Sequence, residues 1–259
     1  VQQLRQTITA SIDDFGTENA MPNSPMRDNF LFELISKNAL ACDRSSVQEV
    51  SLLRGQTLFE KEVRLRHVYF PISSVASRIY LAECGHTAEV GMVGYEGVVG
   101  ISLFLGNRKT YNEAIVHVDG RALRMEARAA LEAFRQCGPF QIAVLRYART
   151  MISQLSQIAV CNSLHSVEQR LCRWLLMTLD RTSTDELDLS HHFIAQLLAV
   201  RRESITCALS HLQGERLIQT SNRRIKLLDR AGMEATACEC YGAIKSDFDR
   251  LLALQNANS

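Results

Sequence analysis

The chain has 259 residues, 46% of them hydrophobic, with 29 Lys/Arg against 28 Asp/Glu. That length accommodates two ordinary domains, and the near-neutral balance excludes a global basic field for nucleic acid while leaving room for a local patch. No apolar run approaches the roughly 20 residues needed to cross a bilayer, so no membrane partner is expected.

The opening stretch, VQQLRQTITASIDDFG, lacks the apolar core of a secretion signal, which makes the cytoplasm the expected compartment. Residues 1–27 are polar, contain Pro22 and Pro25, and read as a loose leader. NFLFELISKNAL (29–40) reads as a short helix. Over 50–125 the pattern changes to short alternating runs rich in Val, Ile and Tyr: VRLRHVYFPI, SSVASRIYLAE, TAEVGMVG and EAIVHVDGRALRM. Gly55, Gly85, Gly91, Gly94, Gly97, Gly100, Gly106 and Gly120 punctuate them. Many short strands with glycine turns predict a β-sandwich or a jelly-roll-like β-roll, here assigned to 28–137.

Helical periodicity follows over 126–162, broken at Gly138-Pro139. The second piece carries two apolar stripes. Leu145, Ala148, Ile152, Leu155 and Ala159 lie at heptad spacing, and Val144, Met151 and Ile158 form the other. A helix apolar on two faces must bury both, against the β-roll on one side and an identical helix on the other. The stretch 138–165 is therefore predicted to be a homodimerisation helix ending in a hinge at 162–165; the bland alternative is an ordinary core helix. Ser166 and Gln169 have the spacing of a capping box and open the next helix, with Val167, Leu171, Trp174, Leu175 and Leu179 on one face.

The segment LDLSHHFIAQLLAVRRESITCALSHLQGERLIQTSNRRIKLL (187–228) carries the chemistry. Ser190 is a good N-cap for a helix burying Ile194, Leu197 and Leu198. Ala199-Val200-Arg201 is a short turn, and a second helix over 202–214 puts Ile205, Ala208, Leu209 and Leu212 inside. Two helices joined by about three residues make a helix-turn-helix. Leu217-Ile218-Gln219, the turn at Ser221-Asn222-Arg223 and Ile225-Lys226-Leu227-Leu228 form a hairpin, the wing. The outer side of the second helix is small and polar, which suits a major groove about 12 Å wide. The expected base readers are Arg202, Glu203, Thr206, Cys207 and Ser210, because Arg pairs with guanine and Glu accepts from cytosine N4. Arg201, Arg223, Arg224 and Lys226 are placed to meet phosphates. Residues 190–230 hold seven Lys/Arg and three acids, a local charge of +4. A solvated, charge-laced surface helix is the alternative. The winged unit spans 166–230. The tail, 231–259, is helical and apolar on one side, with Tyr241, Ile244, Phe248, Leu251 and Leu252.

SVEQRLCRWLL and LSHHFIAQLLAVRRESITCALSHLQGERLI resemble the Crp/Fnr family of bacterial regulators, and the resemblance extends over about 28–230. It implies an α+β protein: a cyclic-nucleotide-binding-type β-roll, a long dimer helix and a C-terminal winged helix-turn-helix binding double-stranded DNA. RNA polymerase is a further candidate partner. The family's recognition helix opens with an Arg-Glu pair, matched by Arg202-Glu203; a third reader, often Arg, falls on Cys207, and a thiol cannot make the bidentate guanine contact. RGQTLF, HVYFPISSVAS and EVGMVGYEGVVGISLFLG resemble the roll's strands and turns. The family's phosphate cassette requires a Gly-Glu pair and a later Arg followed by a small residue, where this chain has Gly100-Ile101 and Asn112-Glu113-Ala114. An acid where an anion should bind argues against cyclic AMP or cyclic GMP as effector. Arg108-Lys109 is an alternative anion site, or a solvated turn.

Eight cysteines stand at 42, 84, 137, 161, 172, 207, 238 and 240. Scattered through apolar helices, they read mostly as small buried hydrophobes. Cys42 alone near the N-terminus argues against the iron–sulfur cluster of one family branch. Cys238-Glu239-Cys240 is close-spaced but without the second pair a zinc site wants, so no metal site is expected. His67, His86 and His117 are candidate haem ligands that read equally as structural or exposed strand residues. His86 with Glu89 superficially suggests a metalloenzyme, but no nucleophile–base constellation supports an enzyme. A protein-interaction module with a vestigial helix-turn-helix is the remaining alternative.

Overall fold

The computed structural model describes residues 29–36, 46–136 and 138–253. The expected leader at 1–27, Cys42, Cys137, the end of the first helix beyond Ser36 and the last six residues of the tail lie outside them. The fold is mixed helix and sheet, with an antiparallel β domain followed by helices and a small three-stranded sheet.

The chain enters through α1 (Phe30–Ser36), started by Asn29. The Asn29 side chain accepts from Phe32 N at 3.0 Å and donates to the carbonyls of Pro71 and Gly97, which satisfies a fully buried amide. Seven strands follow: β1 (Val47–Leu52), β2 (Thr57–Phe59), β3 (His67–Pro71), β4 (Val75–Leu81), β5 (Thr87–Val93), β6 (Glu113–Val118) and β7 (Gly120–Glu126). They make two antiparallel sheets, β1-β7-β3 and β2-β6-β4-β5. The alternating Val/Ile/Tyr runs account for β3 to β7 because every second residue faces the shared core, including Val68, Phe70, Val75 and Ile79.

α2 (Ala127–Arg135) closes the roll, and α3 (Pro139–Leu164) starts at the Pro139 that follows the glycine break. α4 (Val167–Leu179) opens with the expected reciprocal capping box: the Ser166 hydroxyl accepts from Gln169 N, and the Gln169 side chain accepts from Ser166 N. β8 (Glu186–Asp188), α5 (His191–Leu198), α6 (Arg202–Gly214), β9 (Ile218–Ser221) and β10 (Arg224–Leu227) form the winged unit, whose sheet runs β8-β10-β9. α7 (Arg230–Thr236) and α8 (Glu239–Ala253) end the described chain, so the tail is two helices with a break at Ala237-Cys238.

The main apolar core runs from the roll into the winged unit. Trp174 of α4 is completely buried and donates its indole N–H to both Glu89 oxygens of β5, at 3.1 and 3.2 Å. Arg181, just past α4, pairs with Glu96 at 2.8 Å, and both side chains are buried. Two of the glycines read as turn formers have another reason: a Cβ at Gly97 would lie 2.2 Å from the Tyr147 ring, and one at Gly94 would lie 2.8 Å from Arg181. There α3 and the winged unit approach the roll too closely for a side chain.

Candidate nucleic-acid interface

α5 ends at Ala199, which takes a left-handed conformation, φ 53 and ψ 47, and this turns the chain into α6. Ser190 caps α5 by accepting from Phe193 N at 3.2 Å. The two helices pack through Ile194, Leu197 and Leu198 against Ile205, Ala208 and Leu209, all buried. That packing rotates the other side of α6 outward. Arg202, Glu203, Thr206, Cys207 and Ser210 are all exposed there, as is Arg201 at the N-cap. The five expected base readers therefore share one open face. Thr206 is partly engaged: its hydroxyl donates to Arg202 O at 3.2 Å and lies 3.1 Å from His191 Nδ1. Burial, and then the charge of Arg202, lower the His191 pKa.

The wing turns at Asn222, in the left-handed region with φ 56. Gln213 ties α6 to the wing by accepting from Thr220 N at 2.8 Å. The four expected phosphate residues stand on this side of the molecule, but three have carboxylate neighbours. Arg223 lies 3.6 Å from Asp188, Arg224 3.5 Å from Glu186, and Lys226 3.9 Å from Asp185. Sequence reasoning missed β8, three residues inside a polar stretch, and with it the acids that offset the wing's charge. Exposed pairs of this kind are worth about 0–1 kcal/mol each and are readily exchanged for a phosphate partner. Asp188 also pairs with Arg54 of the roll at 3.2 Å, and Thr87 of β5 donates to Gln196 O of α5 at 3.2 Å. These contacts dock the winged unit on the roll and leave the outer face of α6 open.

On α3 the two stripes separate by burial. Val144, Met151 and Ile158 are buried, the first against the roll and the last beside α8, where Ser153 donates to Asp247 at 2.5 Å. Leu145, Ile152 and Ala159 are exposed, Leu155 is half-buried, and Ile142 and Leu164 add further exposed apolar surface. Ala148 departs from the expected seam: it is 7% exposed and belongs to the protomer's own core. It lies one turn from buried Val144 and Met151 and one turn from exposed Leu145 and Ile152, on the border between the stripes, and the methyl turns inward.

The roll contains a cavity of about 240 Å³ lined by Gly100 and by Ile101, Asn112 and Glu113, where the chain departs from the phosphate cassette. Lys109 lines it as well; Arg108, its expected companion, does not. Sequence reasoning missed Arg78 of β4, which reaches this cavity and donates to Asn112 at 3.4 Å, its pKa lowered by burial. Among the histidines, His67 is half-buried, His86 is exposed and His117 is buried, with Nδ1 2.7 Å from the Ser77 hydroxyl. His86 contacts Cys84 at 3.3 Å, whereas Glu89 is held by Ser77 and Trp174, so the pair suspected of holding a metal does not come together.

One reading is corrected by the fold. Cys238 and Cys240 do have a second pair: Cys161 and His165 bring their ligand atoms to within 4.8 Å of the two thiols and of each other. No sequence spacing signals this, because Cys161 and Cys238 are separated by 77 positions.

No helix among the described residues is long and apolar enough to cross a membrane. Residues 169–236 match the family profile of the Crp-like helix-turn-helix domain, a DNA-binding module. The transcriptional regulator LdrP of Thermus thermophilus is 32% identical, in an alignment covering 46% of this chain and 68% of that relative. Among solved structures, a CRP-family transcriptional regulator from Thermus thermophilus shares the fold with a TM-score of 0.59 at 22% identity, over 73% of this chain and 96% of that one. FixK2 from Bradyrhizobium japonicum shares it with a TM-score of 0.56 at 16% identity, over 74% and 98%. An open recognition helix on a helix-turn-helix, a wing and a β-roll thus meet a relative whose alignment covers two thirds of its length, and the chain belongs to the Crp/Fnr family of transcriptional regulators.

Proposed function

We propose that this regulator acts as a homodimer that reads double-stranded DNA with α6 in the major groove and steadies it with the wing on the phosphate backbone. The observation that carries this reading is the open face of α6, where Arg202, Glu203, Thr206, Cys207 and Ser210 are exposed together on a helix firmly seated by Ile205, Ala208, Leu209 and Leu212. Arg202-Glu203 at the helix start is where base readers sit. Cys207 in place of a third long reader implies a half-site different from the one Arg would select. Arg201, Arg223, Arg224 and Lys226 supply the sequence-independent contacts.

Dimerisation is supported by the exposed stripe Leu145, Ile152 and Ala159, completed by Leu155; a seven-residue repeat on a 26-residue helix suits a parallel seam. Such a seam sets the separation of two α6 helices, which must be about 34 Å to enter successive grooves on one DNA face. The residues divide accordingly into a roll (28–137), a dimer helix with hinge (138–165), the winged unit (166–230) and a tail (231–259). Glu113 beside the roll cavity supports an effector other than a cyclic nucleotide held in the usual way; Lys109 and Arg78 are its positive groups.

A mobility-shift titration with the protein's own upstream region tests the reading. It expects a salt-sensitive complex, and Arg224→Ala or Lys226→Ala should weaken binding to all sequences alike, lowering the slope of log K against log salt by about 1 each. Absence of any complex at low salt across many promoter fragments would favour a protein-interaction role instead.

A further inference from the structure

Four soft ligands converge where α3 ends and α8 begins. Cys161 lies in the last turn of α3 and His165 is its C-cap, four residues on and on the same helix face. Cys238 precedes α8, and Cys240 lies in its first turn. All four ligand atoms fall within 4.8 Å of one another. Cys161 Sγ is 3.4 Å from Cys238 Sγ, and Cys240 Sγ is 3.6 Å from His165 Nδ1. Three thiols around a tetrahedral zinc with bonds near 2.3 Å stand roughly 3.8 Å apart, so the cluster already has the size of a mononuclear site. It is too tight for a cluster of irons, whose thiolate ligands sit on the outer sides of separate metal atoms.

The surroundings match a metal–thiolate centre independently. Arg173 is 2% exposed, and its side chain donates to the Cys161 sulfur at 3.3 Å and to the Met177 sulfur at 3.4 Å. A buried guanidinium facing sulfur gains a counter-charge if three thiolates and one zinc leave a net charge of about −1 beside it. His165 turns Nδ1 toward the thiols and Nε2 toward Glu239 Oε1, at 3.3 Å. A carboxylate on the far nitrogen fixes the tautomer that leaves the near nitrogen free to bind metal.

We propose that Cys161, His165, Cys238 and Cys240 form a closed, tetrahedral zinc(II) site that pins both ends of the DNA-binding module to the end of the dimer helix. Zinc takes the sulfur lone pairs and the Nδ1 lone pair, and the protons still held by the thiols go to solvent, with no change in oxidation state. The chain between Cys161 and Cys238 spans 77 positions and contains the whole winged unit, so one metal ion closes that loop at the hinge.

The test is metal analysis of the full-length, tag-free protein purified without chelators, followed by cobalt(II) replacement. One zinc per chain is expected, and cobalt should give thiolate charge-transfer absorption with the intense d–d bands of tetrahedral coordination. Cys161→Ser combined with Cys238→Ser should abolish both. Glu239→Gln, which leaves all four ligands in place, should keep the metal but lower its affinity about 10–100-fold. Less than stoichiometric zinc together with no cobalt uptake would overturn the proposal. So would zinc retained in the double variant, or a Cys161–Cys238 disulfide in protein isolated without air. None of these readouts depends on DNA binding.

Discussion

At Arg202 the backbone enters α6 with its side chain in solvent and its first turn open. No carboxylate among the described residues pairs with that guanidinium, so replacing it disturbs little in the fold and tests the proposed base contact. Arg202→Ala should cost about 1–3 kcal/mol on the preferred site and relax the preference at one base pair, measured by competition among duplexes varied at each position. Unchanged affinity together with unchanged preference would mean that α6 is docked wrongly. This face was legible in the sequence because helical periodicity alone places Ile205, Ala208, Leu209 and Leu212 inside. The engagement of Thr206 by His191 was not, since it joins two helices. Nor was the gathering of Cys161, His165, Cys238 and Cys240, which depends on α8 folding back along α3.

At the scale of elements, α3 carries the dimer proposal. Its buried stripe is occupied by the roll and by α8, and its exposed stripe has no partner within the protomer among the described residues. Ile152 is 63% exposed, so Ile152→Asp leaves the protomer core intact and places a charge in the proposed seam. Sedimentation should then report a monomer with unchanged helical circular dichroism; a persistent dimer would move the interface elsewhere. The two stripes were readable from heptad spacing, but the side taken by Ala148 was not, because a small residue on the border fits either face. The α6 helix and the hairpin β9–β10 were legible from turn chemistry, whereas β8 was hidden: three residues give too little alternation to distinguish a strand from a loop. The tail's apolar side was visible, and its partner α3 was not, because two amphipathic helices do not announce their pairing.

Across the whole molecule, the roll and the winged unit meet at a buried polar cluster: Ser77, Glu89 and His117 from the roll and Trp174 from α4. Burial, with Arg181 adding to it, pushes His117 down to about 3 from a usual 6.5. The folded protein therefore refuses a proton that the unfolded chain accepts. Stability from this group is complete above 6.5 and is lost as pH falls toward 3, by up to about 1.4 kcal/mol per unit. Glu89 acts in the opposite sense: burial raises its pKa, so its contribution is present in acid and fades as pH rises through the folded value. Thermal unfolding of His117→Asn should consequently lose less stability between pH 7 and pH 5 than the unsubstituted protein; an identical loss would contradict the neutral, buried assignment. The same interface shows how the molecule is joined, since Trp174 and Arg181 lock the winged unit to β5 and its following turn while α6 stays outside. In the proposed dimer two such outer faces address one DNA duplex. Selection from a randomised duplex library, with hydroxyl-radical footprinting of the winners, tests it most directly. The expected result is a two-fold symmetric site with half-sites about one helical turn apart, protected on one face of the DNA. A single unpaired half-site, or enrichment of no sequence at all, would contradict it.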